Sequence, residues 1–255
     1  MKASTIWDKC WLRRLVAAAF WIMVWQGVSL TLPTVLFAGP VPTVQRLLAM
    51  LPEKELWYSL CCSLGKVGTG FMLAFLLGTV FAIFSYHSRL IRLLLEPAVQ
   101  IMKSVPVACF IVVALVWVRS DQISVLTAFF VVFPIIYINL SEGMHSVDRK
   151  MLEMAQVFRL SRRKSLQAVW LPAVMPYLLS ACRVSVGMAL KAGVAGEIIG
   201  LPRWSIGEQL YLSKLYLDTA GLFAWSLIII ALSLALEKLL LLAVARIQKQ
   251  WGVPV

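Results

Sequence analysis

The chain has 255 residues, of which 61% are apolar and only 14% are charged, and its mean hydropathy is +0.86. That balance excludes an ordinary soluble domain, in which about a quarter of residues carry charge. The net charge of +12 does not mark a nucleic-acid surface either: Lys and Arg gather at the ends of apolar runs rather than in one basic stripe with interleaved aromatics.

Crossing a hydrocarbon core of about 30 Å takes roughly 20 apolar residues at about 1.5 Å each. Six apolar stretches are candidates for this. They run from about Leu15 to Leu32, Val67 to Tyr86, Pro106 to Val118, Ile123 to Leu140, Ala173 to Ile199 and Leu222 to Ala243. The third is short. The first is longer than the apolar part of a secretion signal and lacks a small-x-small cleavage site, so it reads as a retained anchor. The fold class is therefore all-α, a polytopic membrane protein with about six transmembrane helices. The chain divides into an anchor helix with an outer segment (1–59), a membrane core (60–245) holding a cytoplasmic loop at 141–172, and a cytoplasmic tail (246–255).

Charge sets the orientation. Sixteen Lys and Arg residues fall at the N-terminus, after the second and fourth stretches and at the C-terminal end, against six on the alternate side. This bias places both termini in the cytoplasm. Trp57, Tyr58, Trp117, Trp204, Tyr211 and Tyr216 lie near the outer ends and suit an interfacial aromatic belt. The five cysteines show no CxxC spacing and read as small apolar filler. His87 and His145 fall in polar segments far apart in sequence and suggest no metal site.

Between the fourth and fifth stretches lies a basic, polar island, Glu153 to Pro172. Asp148 can cap a helix over MLEMAQVF, and Glu153 near its start complements the helix dipole. Met151, Leu152, Ala155 and Phe158 form an apolar stripe at helical spacing. A break at Arg159 to Ser161 follows. Ser161 can cap a second helix from about Arg162 to Trp170, and Leu171-Pro172 ends it and starts the fifth span. A helix–bend–helix of this kind can dock in a groove on a soluble partner, or lie on anionic headgroups.

The fifth stretch carries Arg183, Lys191 and Glu197. Ionisable groups inside a span face a bundle interior or an aqueous path. Arg183 and Glu197 are about 21 Å apart along an ideal helix and cannot pair; Lys191 and Glu197 point to different faces. Arg183 and Lys191 either line a route for an anion, or snorkel and pair structurally; Glu197 either gates or caps. Ala192-x-x-x-Gly196 has the spacing for close helix approach. A turn-rich outer loop follows from Gly200 to Gly207.

Glu153, Met154, Ala155, Ser161 and Leu171-Pro172 resemble the cytoplasmic loop signature of ATP-binding-cassette importer permeases: Glu-Ala-Ala, three residues, Gly, then Leu-Pro 18 and 19 positions after the Glu. Met154 stands for the first Ala, and Arg159 stands for the Gly that eases the turn. Arg159 there implies a different bend or an extra contact. LFAGPVPTVQRLLAMLPEKELWYSLCCSLGKVGTGFMLAFLLGTVFAIF, LLLEPAVQIMKSVPVACFIVVALVW and GMALKAGVAGEIIGLPRWSIGEQL are similar to the nitrate, sulfonate, taurine and bicarbonate branch, from about Leu36 to Leu240.

This resemblance implies a type I importer half-transporter that pairs with a second copy. Two ATPase subunits would grip Glu153, Met154, Ala155, Phe158, Arg159 and Ser161, with Leu171 and Pro172 completing the coupling element. An extracytoplasmic binding protein would meet Arg203 and Trp204. Arg183, Lys191 and Glu197 are the path candidates. The chain holds no GxxxxGK[ST] phosphate loop and no catalytic or metal set, so it is read as no enzyme, with ATP and Mg bound by the partner ATPase. The expected location is the bacterial inner membrane, in contact with lipid. The solute is a small anion such as a sulfonate, taurine or nitrate. The alternatives are a vitamin precursor in the same family, or a proton-coupled carrier using Glu197 and Lys191.

Overall fold

A computed structural model describes residues 10–251. Every regular element among these residues is helical. In chain order they are α1 (Cys10–Thr31), α2 (Pro40–Met50), α3 (Lys54–His87), α4 (Arg89–Ser104), α5 (Val107–Ala114), α6 (Ser120–His145), α7 (Arg149–Val157), α8 (Arg162–Ser165), α9 (Leu171–Gly200), α10 (Ile206–Leu215) and α11 (Thr219–Trp251).

Among the described residues four helices are long and apolar enough to cross a membrane: Lys54–His87, Ser120–His145, Arg162–Gly200 and Thr219–Leu242. The first stretch forms a shorter apolar helix, Leu15–Thr31. The third stretch is not a straight span. Only Val107–Ala114 is helical there, about 12 Å of rise. It meets α4 at 105°, so that α4 and α5 together make a broken span or a re-entrant loop, and among the described residues four helices, or five segments if that bent pair is taken as one, are long and apolar enough to cross, with the shorter Leu15–Thr31 beside them. The break has a local cause. Pro106 offers no N–H to continue the ladder, and Val105 before it is extended (φ −75°, ψ 126°), as a residue preceding proline prefers.

The chain divides into two compact units, Met1–Trp57 with Gln209–Ile229 and Tyr58–Glu208 with Ile230–Val255. In the first, the indole of Trp25 donates to the Ala38 carbonyl at 3.0 Å, and Phe223 packs against Trp25 and Phe37. Arg46 pairs with Asp218 at 3.1 Å.

The second unit is built around α6, whose Ile123, Ala128, Val132 and Ile136 are fully buried. α9 is its principal partner. Gly196 allows the close approach: a Cβ there would lie 2.9 Å from Thr127 Oγ1. The small residues of the fifth stretch therefore serve helix packing within the chain, where lipid offers no hydrophobic driving force and van der Waals fit carries the association.

Candidate functional site

The polar island folds as a short helix, a tight turn and a long helix. Asp148 is the N-cap of α7, its carboxylate accepting from Lys150 N at 2.9 Å. At the other end Arg159 takes the left-handed conformation, φ +48°. Leu160 N donates to Ala155 O and Arg159 N to Gln156 O, both at 2.9 Å. These are the two bonds of a Schellman motif, and Arg159 holds the position usually given to Gly. Arg159 thus makes the turn a Gly would make, and a different bend is not needed. Leu160 folds back onto the cluster of Val147, Ala155 and Val169, the apolar contact that accompanies such a turn.

Beyond the turn Ser161 sits at the N-cap of α8, though its side chain makes no capping bond. The separate second helix read from the sequence is corrected. α8, a π-turn at Leu166–Trp170 and α9 run on as one helix, Arg162–Gly200. Leu171-Pro172 does not interrupt it. Pro172 would clash with the carbonyl four residues back in a regular helix. The wider π-turn just before it, closed by Leu171 N to Leu166 O, relieves that contact. A displacement at Ser161 is consequently continuous with the membrane helix.

The loop exposes what a partner could grip. Val157 and Phe158 are 78% and 70% exposed. Met151, Met154 and Glu153 are exposed beside them, and Arg162, Arg163 and Lys164 follow, while Ala155 is buried and Leu171 and Pro172 are half-buried. Apolar knobs within a basic surround can make a hot spot with a polar rim.

Glu197 is fully buried. Its carboxylate accepts from Ser63 Oγ at 2.8 Å, Ser124 Oγ at 2.9 Å and Gly207 N at 3.1 Å. Ser63 Oγ in turn accepts from Ile206 N at 2.9 Å. Ser205 Oγ accepts from Glu208 N at 3.0 Å. The first three N–H groups of α10 are thereby all satisfied by side chains, which a buried helix start requires. Of the two roles open to Glu197, the geometry is that of a cap, and it caps α10 rather than its own helix. Gly207 is obligatory here, since a Cβ would fall 2.3 Å from Glu197 Cβ.

Lys191 is not among the partners of Glu197, so the structure offers no direct relay between them. Arg183 pairs with Glu237 of α11 at 3.4 Å. Lys191 is exposed on α9. Arg203 is exposed and Trp204 is 48% exposed; the Trp204 ring packs edge-on against Tyr58, and its backbone N–H donates to the Glu208 carboxylate at 2.6 Å.

A cleft of about 620 Å³ opens between α4 and α6, with Arg92, Glu96, Gln100, Ser141, Glu142 and His145 on its walls. His145 Nδ1 lies 2.6 Å from Ser141 O, which assigns the proton to Nδ1 and leaves Nε2 to accept from Arg92. The histidines are closer than their sequence positions suggest: the rings of His87 and His145 both pack against Tyr86.

Residues 70–251 match the family of binding-protein-dependent transport system inner membrane components. The chain belongs to this family. It is 29% identical over 219 residues to a putative aliphatic sulfonates transport permease of Bacillus subtilis, covering 84% of this chain and 78% of that protein. It is 29% identical over 174 residues to a bicarbonate transport system permease of Synechococcus elongatus, covering 65% and 62% respectively. It is 28% identical over 238 residues to a probable ABC transporter permease of Brucella melitensis, covering 93% and 96%. The chain is thus an ABC transporter permease, a membrane-embedded transport subunit.

Several residues that organise this permease were invisible to sequence reasoning. Ser63 and Ser124 stand out in no motif, Gly207 reads only as the end of a turn-rich loop, and Glu237, inside the sixth apolar stretch, is not singled out. An intramembrane carboxylate does signal that donors must be found, and buried Ser residues on neighbouring helices are the natural suppliers. Nothing in the spacing says which serines.

Proposed function

We propose that this permease forms, with a second copy, the membrane path of an ATP-driven importer for small oxyanions. Two separate ATPase subunits bind ATP and Mg and grip the loop from Glu153 to Ser161. Their closure displaces α7 and the Arg159 turn. The continuous helix beyond Ser161 carries that displacement through Leu171 and Pro172 into the membrane. An extracytoplasmic binding protein delivers the solute to the outer face, where Arg203 and Trp204 are contact points. Both termini and the coupling loop lie on the cytoplasmic side of the inner membrane, as the charge bias requires.

The observation that supports this reading is the turn itself: a nine-residue helix α7 with exposed Phe158 at its end, joined through the tight Arg159 turn to a 39-residue helix that is long and apolar enough to cross the membrane. A loop that only rested on headgroups would have no need of that rigid connection. The oxyanion assignment leans on the sulfonate and bicarbonate permeases among the relatives.

The test is co-purification of the ATPase with the permease, alongside ATP-dependent uptake. Glu153→Lys is expected to abolish both while leaving the amount of folded permease unchanged. Full ATPase retention with normal uptake in Glu153→Lys would refute the docking role.

A further inference from the structure

Three ionisable side chains lie within α9, and the structure separates their fates. Glu197 is buried among neutral donors that it holds in place. Arg183 has Glu237. Lys191 is exposed and has no hydrogen-bond or ion-pair partner among the described residues.

Its position rules out the ordinary escape for a lysine in a span. Lys191 lies nine residues before Gly200, where α9 ends, so about 13 Å of helix separates it from the nearer end. A lysine can snorkel toward an interface along its stem. Helical Cα–Cβ bonds, however, tilt toward the N-terminus, and here that direction leads away from the nearer end and deeper into the span. An ammonium left in hydrocarbon within a span is costly, and no carboxylate among the described residues pairs with it to offset that cost. Beside it Val184 and Met188 are 55% and 42% exposed, so its own helix supplies no polar cover. The face of α9 that carries Lys191 therefore has to meet water, a polar ligand or a polar group of another subunit.

We propose that Lys191 lines the aqueous path of the assembled permease and is the fixed cation that contacts the translocating oxyanion. This rests on the oxyanion reading above and names the residue that serves it. The α4–α6 cleft is a poorer anion site, because Glu96 and Glu142 stand in its wall. A single ammonium also suits transit better than a bidentate guanidinium would. It attracts an oxyanion as a point charge with three rotatable donors, without locking its geometry.

Two measurements test the proposal, both on the permease assembled with its ATPase and binding protein. In the first, the five native cysteines are replaced by Ala and Lys191→Cys is introduced. Membrane vesicles are treated with a membrane-impermeant, sulfonate-bearing thiosulfonate reagent. The introduced thiol is expected to react in the intact complex. Reaction only after denaturation in detergent would overturn the proposal. In the second, uptake of ethanesulfonate and of bicarbonate is compared for the wild type, Lys191→Gln and Lys191→Arg.

Lys191→Gln is expected to raise KM for the transported anion by about tenfold, the loss of roughly 1.4 kcal/mol of contact. Lys191→Arg should stay within about threefold, or roughly 0.65 kcal/mol. ATPase co-purification should not change in either. An unchanged KM in Lys191→Gln, or loss of ATPase assembly in that variant, would overturn the anion contact. A wild-type complex that carries neither anion would instead refute the oxyanion reading itself.

Discussion

Removing the Glu197 carboxylate is the most direct way to test how the second unit is held together. Glu197→Ala leaves three donors without their acceptor: Ser63 Oγ, Ser124 Oγ and Gly207 N. The two hydroxyls can turn back to carbonyls of their own helices. Gly207 N–H has no such recourse, and a buried unsatisfied donor costs about 1–3 kcal/mol. The lost methylene adds about 0.8 kcal/mol. The total is about 3 kcal/mol, equivalent to a fall of roughly 6–12 °C in apparent melting temperature for a chain of this length. Glu197→Gln keeps the volume. Its oxygen can still accept from Ser63 and Gly207, while its NH₂ donates to Ser124, so its cost is below about 1 kcal/mol. Gly207→Ala attacks the same contact from the other side and should cost about 1–3 kcal/mol through overpacking, because its Cβ would land 2.3 Å from Glu197 Cβ. The assay is thermal unfolding of the purified permease followed by tryptophan fluorescence. A Glu197→Ala variant within about 2 °C of the wild type, which is under about 1 kcal/mol, or a Gln variant as damaged as the Ala one, would refute the assignment of Glu197 as the cap of α10.

Arg159→Gly removes the strain of a non-glycine residue at φ +48°. A left-handed conformation costs an L-residue about 1–2 kcal/mol, offset by about 0.5–1 kcal/mol of extra glycine entropy in the unfolded chain. The variant should melt slightly higher and keep its ATPase; a lower melting temperature would contradict the left-handed turn. Phe158→Ala should leave the permease as stable as before, because the ring is 70% exposed, yet weaken ATPase affinity by about 2 kcal/mol, as truncation of an interface anchor does. Quantitative pull-down against free ATPase reads this, and unchanged affinity would remove Phe158 from the interface.

Much of this protein was legible one residue at a time. Residence in the membrane, the places of the long apolar helices and the helix capped by Asp148 all depend on properties that neighbouring residues share: hydropathy, periodicity and capping chemistry. The spacing from Glu153 to Pro172 likewise marked the stretch that we propose as the coupling element, without any knowledge of what packs against it. Tertiary structure decided the rest. That α4 and α5 meet at 105° is not visible in hydropathy, since an apolar run scores the same whether straight or broken. The π-turn that carries the helix through Pro172, and the left-handed Arg159, are strained choices which surrounding contacts such as Leu160 on Val147 and Ala155 hold in place. The partners of Glu197 are 134, 73 and 10 residues away in sequence. An isolated carboxylate demands donors, but which ones it receives depends on helices brought together by packing, and the same packing left Lys191 without a partner among the described residues.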